Sequence, residues 1–331
     1  ADGVLHPVSP GMGDGGGGAD APGDAGVSLT ASVSAGGICA RTAYLRLRET
    51  AAAWPAGRAA SVCGVPADAI RRSVPAVIDY HLRGSDRMVH LEVLDAEGNI
   101  VRTLFEGTRD QGTHRETWNL RHPGAVTFDG IVLEGGNPAR GPWSPPGRYQ
   151  ARLTVDGDVQ VASFDVRRDP RLTGVTDADL VMQFELALEI RDAESRANGS
   201  VLLIRDMRGQ LQASVARSDD QRLRASAERF IGDIGRLEAQ LYQVRNQSPK
   251  DKIAFPIRLN DRLTGLRSRL ERGDAAPTAA YRDVFEELST ELDGHMLELQ
   301  GLISDDLSRL NAELTRAGLP RVVARDLLVT D

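Results

Sequence analysis

From Val77 onward the chain alternates between apolar and polar positions with the period of an extended strand. VIDYHL (77–82) and MVHLEVLD (88–95) are β-rich, and in the second run Val89, Leu91 and Val93 share one face. AEGN (96–99) reads as a turn with Gly98 at its left-handed position, and IVRTLFE (100–106) reads as the returning strand. THRETWNL (113–120) is a further strand, and 145–169 holds two more around Asp156-Gly157-Asp158. Short strands at a spacing of about ten residues, with no helix between them, predict an antiparallel Ig-like β-sandwich over 74–169. Within it, 121–146 is a long Gly/Pro-rich excursion, and loops of that length are usually functional or folded against a surface.

From Thr176 the period becomes helical. A first helix is expected over 177–217, with Thr176 and Asp179 as a short capping box. Ile190, Ala193, Ala197, Val201, Ile204, Met207, Leu211 and Val215 form its apolar stripe. A second helix is expected over 220–246, ended by Pro249 and Pro256, and a third over 257–272. The last is expected over 278–317. Its seam runs through Leu288, Leu292, His295, Leu299, Ile303, Leu307, Leu310 and Leu314, and it stops at Gly318 and Pro320. Long helices joined by short loops predict an antiparallel helical bundle over 176–318, with 319–331 as a tail.

Residues 1–72 follow neither period. Eleven of the 34 glycines fall in the first 40 residues, and TAYLRLRE (42–49) is the one stretch there that alternates. This segment is expected to be low-complexity and disordered, or mis-translated from GC-rich DNA through a mis-set start or shifted frame. The fold class is therefore β plus α in separate domains behind an irregular N-terminal segment. The 331 residues leave room for two domains of about 150 residues each.

Composition narrows the function by exclusion. The net charge is −7 with no long basic run, which argues against nucleic-acid binding. No apolar stretch reaches the ~18 residues of a membrane span, and no signal peptide is visible at the N-terminus. Only Lys250 and Lys252 are lysines; the other 38 basic residues are Arg, as GC-rich coding produces. The two cysteines, Cys39 and Cys63, lack metal-ligand spacing, and whether they pair is open.

No motif carries catalytic chemistry. Gly11, Gly13 and Gly16 form a G-x-G-x-x-G with neither the strand nor the helix that gives it meaning. The six histidines show no ligand spacing on one element, and the adjacent acids Asp219-Asp220, Glu286-Glu287 and Asp305-Asp306 diverge on their helices. TRDQGTH (108–114) is a near miss to the Asp-box of propeller blades, with His114 and Arg115 where Thr and Trp should stand. Catalytic, cofactor and metal residues are accordingly expected to be none. The candidate contact patch is Trp143 in GPWSPPG (141–147), read as an exposed indole able to stack on a sugar or dock a neighbour, with Arg140 and Arg148 beside it.

LEVLDAEGNIVRTLFEGTRDQGTHRETWNLR (91–121) followed by SPPGRYQARLTVDG (144–157) resembles the Ig-like, fibronectin III/FlgD-like module that follows bacterial propellers. The marks are Asp95, Gly98, Val101 and Arg102 in the hairpin, the strand from Gly112 to Trp118, and Pro146-Gly147-x-Tyr149. DPRLTGVTDADL (169–180), QLYQVRNQS (240–248) and FPIRLNDRLTGL (255–266) look like the C-terminal tail of BNR-repeat, sortilin-like (VPS10-like) β-propeller proteins, often labelled glycosyl hydrolases. The resemblance implies a propeller preceding this region in cis, a secreted or periplasmic setting, and a non-catalytic bracing or partner-contacting role. Two alternatives stand beside it: a carbohydrate-binding accessory module and a glycoside hydrolase.

Overall fold

The computed structural model describes residues 30–32, 38–42 and 75–325. It is a mixed β plus α structure that divides into two units. One holds the described residues up to 122 together with 143–172; the other holds 123–142 together with the described residues from 173.

The first unit is built from antiparallel sheets. Strands β1 (Thr30–Ser32), β2 (Ile38–Thr42), β3 (Ala76–Leu82) and β6 (Gly112–Trp118) form one four-stranded sheet in the order β1-β2-β3-β6. Strands β4 (Arg87–Leu94), β5 (Ile100–Arg109), β9 (Gly147–Val155) and β10 (Asp158–Val166) form the other, in the order β10-β9-β4-β5. Two short strands, β7 (Arg121–Pro123) and β8 (Arg140–Trp143), pair with each other.

The period-two pattern is what buries one face of each strand. Ala76, Ile78, Tyr80 and Leu82 from one sheet join Val89, Leu91, Val93, Tyr149, Ala151, Leu153, Ala162 and Phe164 from the other in one apolar core. Trp118 is fully buried within it; its indole N–H donates to the Arg121 carbonyl at 3.0 Å, and its ring lies 5.2 Å from Tyr149. The turns are where the residue types put them. Gly98 closes β4–β5 at φ +88°, and Asp156 and Gly157 close β9–β10 at +50° and +94°.

The sequence reading differs from this unit at its N-terminal side. Strands β1 and β2 come from the segment expected to be disordered, and β2 pairs with β3 from Ile38↔Tyr80 to Thr42↔Ala76. Pairing to an already formed strand supplies the order that local pattern lacks. Residues 43–49, Cys63 and the rest of the 1–72 segment lie outside the described residues.

The second unit is helical: α1 (Asp177–Val215), α2 (Gln221–Leu241), α3 (Leu259–Leu270), α4 (Ala279–Gly301) and α5 (Ser308–Arg316), with a π segment at Leu302–Leu307. Thr176 caps α1 as expected: its hydroxyl accepts from the Asp179 N–H, and the Asp179 carboxylate accepts from the Thr176 N–H. The stripe from Ile190 to Leu211 is buried in one apolar core with Leu223, Phe230, Ile234, Leu263, Leu292 and Leu314.

The π segment keeps α4 and α5 on one seam. Buried Leu292, Leu299, Leu307 and Leu314 are spaced by seven, eight and seven residues. The eight-residue step falls across Leu302–Leu307, where the wider π turn takes up the extra residue. Gly301, Leu302, Leu307 and Ser308 all retain right-handed helical angles, so the helix runs through unbroken.

Two sequence expectations are corrected here. The second helix stops at Leu241 rather than near 246, because Tyr242 turns extended (φ −136°, ψ 145°) and is buried. The excursion at 121–146 is not a free loop of the β domain. Residues 123–142 belong to the helical unit, where Phe128 is buried in the helical core and Ile131 and Leu133 pack against it. An expected β domain of unbroken span 74–169 therefore does not hold.

Candidate functional site: a buried polar network

Polar side chains in the helical unit converge on the 123–142 strap. Glu194 and Asn198 lie one turn apart on α1; Asn260, Asp261, Thr264 and Arg267 follow helical spacing on α3. All six are at most 2% exposed, a depth at which charged groups persist only when paired. The Arg267 guanidinium lies 3.3 Å from Glu194 Oε2, and the Thr264 hydroxyl donates to Glu194 Oε1. Its remaining donors reach the Arg140 carbonyl at 2.5 Å, the Asn137 carbonyl at 3.4 Å and Glu271 at 3.3 Å.

The other members hold the same strap. The Asp261 carboxylate accepts from the backbone N–H of Glu134 (3.0 Å) and of Gly135 (2.6 Å). Asn198 donates to the Val126 carbonyl at 2.7 Å and accepts from Asn260 at 2.9 Å. Tyr242 donates to the Gly130 carbonyl and accepts from the Val132 N–H, and Asn246 donates to the Val132 carbonyl. This is why the second helix ends early: the residues after Leu241 bind the strap instead of extending the helix.

Close approach requires glycine at the contact. A Cβ on Gly135 would stand 2.5 Å from the Asp261 carbonyl oxygen and 2.6 Å from the Gly265 nitrogen, both backbone atoms. Gly136, at φ +153°, would place one 2.3 Å from the Ser268 hydroxyl.

Burial sets the titration of the two buried acids. It pushes the Glu194 carboxyl above its ordinary range, opposed by Arg267 and Thr264. Burial also raises Asp261, opposed by the two strap N–H groups it holds. Chemically, the arrangement is a receptor for a length of backbone: Asp261 and Arg267 hold amide and carbonyl groups of the strap, and Glu194 holds Arg267 and Thr264. Among the described residues, no group of three His, Cys, Asp or Glu is placed to hold a metal ion.

The residues singled out from sequence lie apart. Trp143 is half-buried, with the Arg121 guanidinium 3.7 Å above its ring, so the expected exposed indole is not what the structure presents. Arg148 is exposed in β9, opposite Asp165 of β10. Arg140 is exposed but belongs to the helical unit, where its carbonyl receives Arg267. His295, expected on the seam, is half-buried beside Glu298 at 3.9 Å.

Sequence reasoning missed Glu194, Asp261 and Arg267. The available signal was the polar series 260, 264, 267 running beside the leucine series 259, 263, 266, 270 on one short helix. Such a helix is polar on a face that the burial of its neighbours leaves no room to expose. Among the described residues no helix is long and apolar enough to cross a membrane. No family model matches the chain, and neither a curated protein nor a solved structure matches it.

Proposed function

We propose that this chain is a non-catalytic accessory region: an Ig-like β-sandwich followed by an antiparallel helical bundle, bracing a β-propeller or contacting a partner protein. The reading extends the sequence resemblance to the C-terminal part of BNR-repeat, sortilin-like propeller proteins, and with it a secreted or periplasmic setting. The observation that carries it is the strap. Of the deeply buried charges whose environment suits catalysis, Asp261 and Arg267 bind the backbone of 134–140, and Glu194 is taken up by Arg267 and Thr264.

The test joins genomic and biochemical observations. Propeller blades encoded immediately 5′ of codon 74, and co-purification of those blades with this chain, are the expected results. Turnover of aryl-glycosides by the purified chain, abolished by changing a single carboxylate, would overturn the reading in favour of a hydrolase.

A further inference from the structure

Among the described residues the two most exposed large apolar side chains are Ile253, at 76%, and Leu297, at 71%; the next, Val159, is at 58%. Both belong to the helical unit, and their electrostatic surroundings are opposite. Ile253 ends the 3-10 turn Asp251–Ile253 in the connection from α2 to α3. Residues 244–258 carry Arg245, Lys250, Lys252 and Arg258 against Asp251 alone, a net +3, and include both lysines of the chain. Leu297 lies on α4, where 283–305 contains Asp283, Glu286, Glu287, Glu291, Asp293, Glu298 and Asp305 with no Lys or Arg; Arg262 of α3 pairs with Glu287 and Glu291, and Arg196 of α1 with Asp293, so the helix stays net acidic.

The basic loop is held in shape by its own bonds. The Asp251 carboxylate accepts from the Gln247 and Ser248 N–H groups at 3.0 and 2.8 Å, and Gln243 donates to the Pro256 carbonyl at 2.8 Å. Val244 and Ile257 are exposed on the same connection, at 44% and 43%. On α4, Glu298 is exposed next to Leu297 in the chain, and Glu286 is exposed three turns before it on the same face. Gly294 and Gly301 lie three residues before it and four after it, and neither has a heavy atom within 4 Å of where a Cβ would stand. A glycine inside a helix costs about 1 kcal/mol relative to alanine, and among the described residues nothing packs where a Cβ of either would stand.

We infer that the basic, apolar 244–258 loop of one copy docks on the acidic α4 face around Leu297 of a second copy. A net-basic loop that exposes Ile253 meets a net-acidic helix that exposes Leu297, with open glycine positions on either side of Leu297. An anionic membrane is disfavoured as the occupant. The chain is −7 overall, and the unit that bears the loop also bears the acidic helix, which such a surface repels. Loop and helix face are different surfaces; made reciprocally about a two-fold axis the contact gives a closed isologous dimer, and made once per pair it is heterologous and propagates. The inference does not depend on the accessory-module reading.

Sedimentation velocity of the full chain over a concentration and salt series tests it. The wild type is expected to self-associate reversibly, and less so at high salt. Ile253→Asp and Leu297→Asp should each weaken association at least about tenfold. An equimolar mixture of the two should regain association, because each variant supplies the half the other lacks. Arg245→Glu with Lys250→Glu should abolish association, and adding Glu286→Lys with Glu298→Lys should restore it. Thermal melts by circular dichroism confirm that each variant is folded. A monomeric wild type at every concentration, association indifferent to these variants, or a mixture that fails to associate would overturn the inference. Binding to anionic phosphatidylserine vesicles without self-association would also overturn it, assigning the loop to lipid.

Discussion

Replacing Arg267 by alanine should be among the most damaging single changes in the helical unit. Arg267 is 2% exposed and its partner Glu194 is fully buried, so truncation leaves a carboxylate in the interior with the Thr264 hydroxyl as its remaining direct partner. It also takes the Arg267 donor from the strap carbonyl of Arg140, while the Asn137 carbonyl keeps the Arg140 N–H at 3.1 Å. Breaking a buried ion pair by removing one partner costs about 3–5 kcal/mol. An unsatisfied buried carbonyl costs about 1–3 kcal/mol, but groups within one network do not add. We expect a loss of about 4 kcal/mol at neutral pH.

The loss should depend on pH, with a sign fixed by Glu194. Its carboxyl is raised in the folded state, and removing Arg267 raises it further. The folded variant then binds a proton that the unfolded chain releases, so its stability falls as pH rises above the unfolded value and recovers towards acid. Urea denaturation followed by helical circular dichroism, repeated at acidic and neutral pH, measures this. Hydrogen exchange at the Glu134 and Gly135 amides reports whether the strap loosens. The double variant Glu194→Leu with Arg267→Leu should recover part of the loss, because two apolar side chains replace a desolvated pair. The reasoning is refuted if Arg267→Ala loses less than about 1 kcal/mol, or if the double variant is as unstable as the two single changes summed.

Three further outcomes follow from the same structure. Gly135→Ala should cost at least about 2 kcal/mol, since the new methyl group meets backbone rather than a movable side chain; the Gly135 amide should exchange faster. Leu299→Asp should destabilise the helical unit by several kcal/mol through an unpaired buried charge; an unchanged melting temperature would place Leu299 at the surface. Burial pushes the Tyr149 hydroxyl up to about 12. The unfolded chain ionises near the ordinary value of about 10 while the folded chain does not, so stability of the β unit should fall as pH rises between those values. Phenolate absorbance measured against pH checks the assignment.

Periodicity made much of this protein legible. Alternation over 77–106 and 145–166 named the strands and the face each buries, because side chains of an extended chain point alternately to opposite sides. The stripe from Ile190 to Leu211 and the seam from Leu288 to Leu314 named the buried sides of the long helices for the corresponding reason at 3.6 residues. Thr176 with Asp179 and the turn at Asp156-Gly157 were readable because their signals are local.

What tertiary structure alone decided is where non-periodic chain finds its partners. Nothing within 123–142 says that Phe128, Ile131 and Leu133 belong to a helical core rather than to the strands on either side. The strap is ordered by groups far along the chain, chiefly Asn198, Asp261, Arg267 and Tyr242, whose hydrogen bonds replace those the strap backbone does not make to itself. The same competition ended the second helix at Leu241 and brought Ile38–Thr42 into a sheet. Patterns of three or four residues record which face is buried. Which distant backbone a buried Arg or Asp will hold is settled only when the chain is folded, because an unpaired charge in the interior costs more than any local preference supplies.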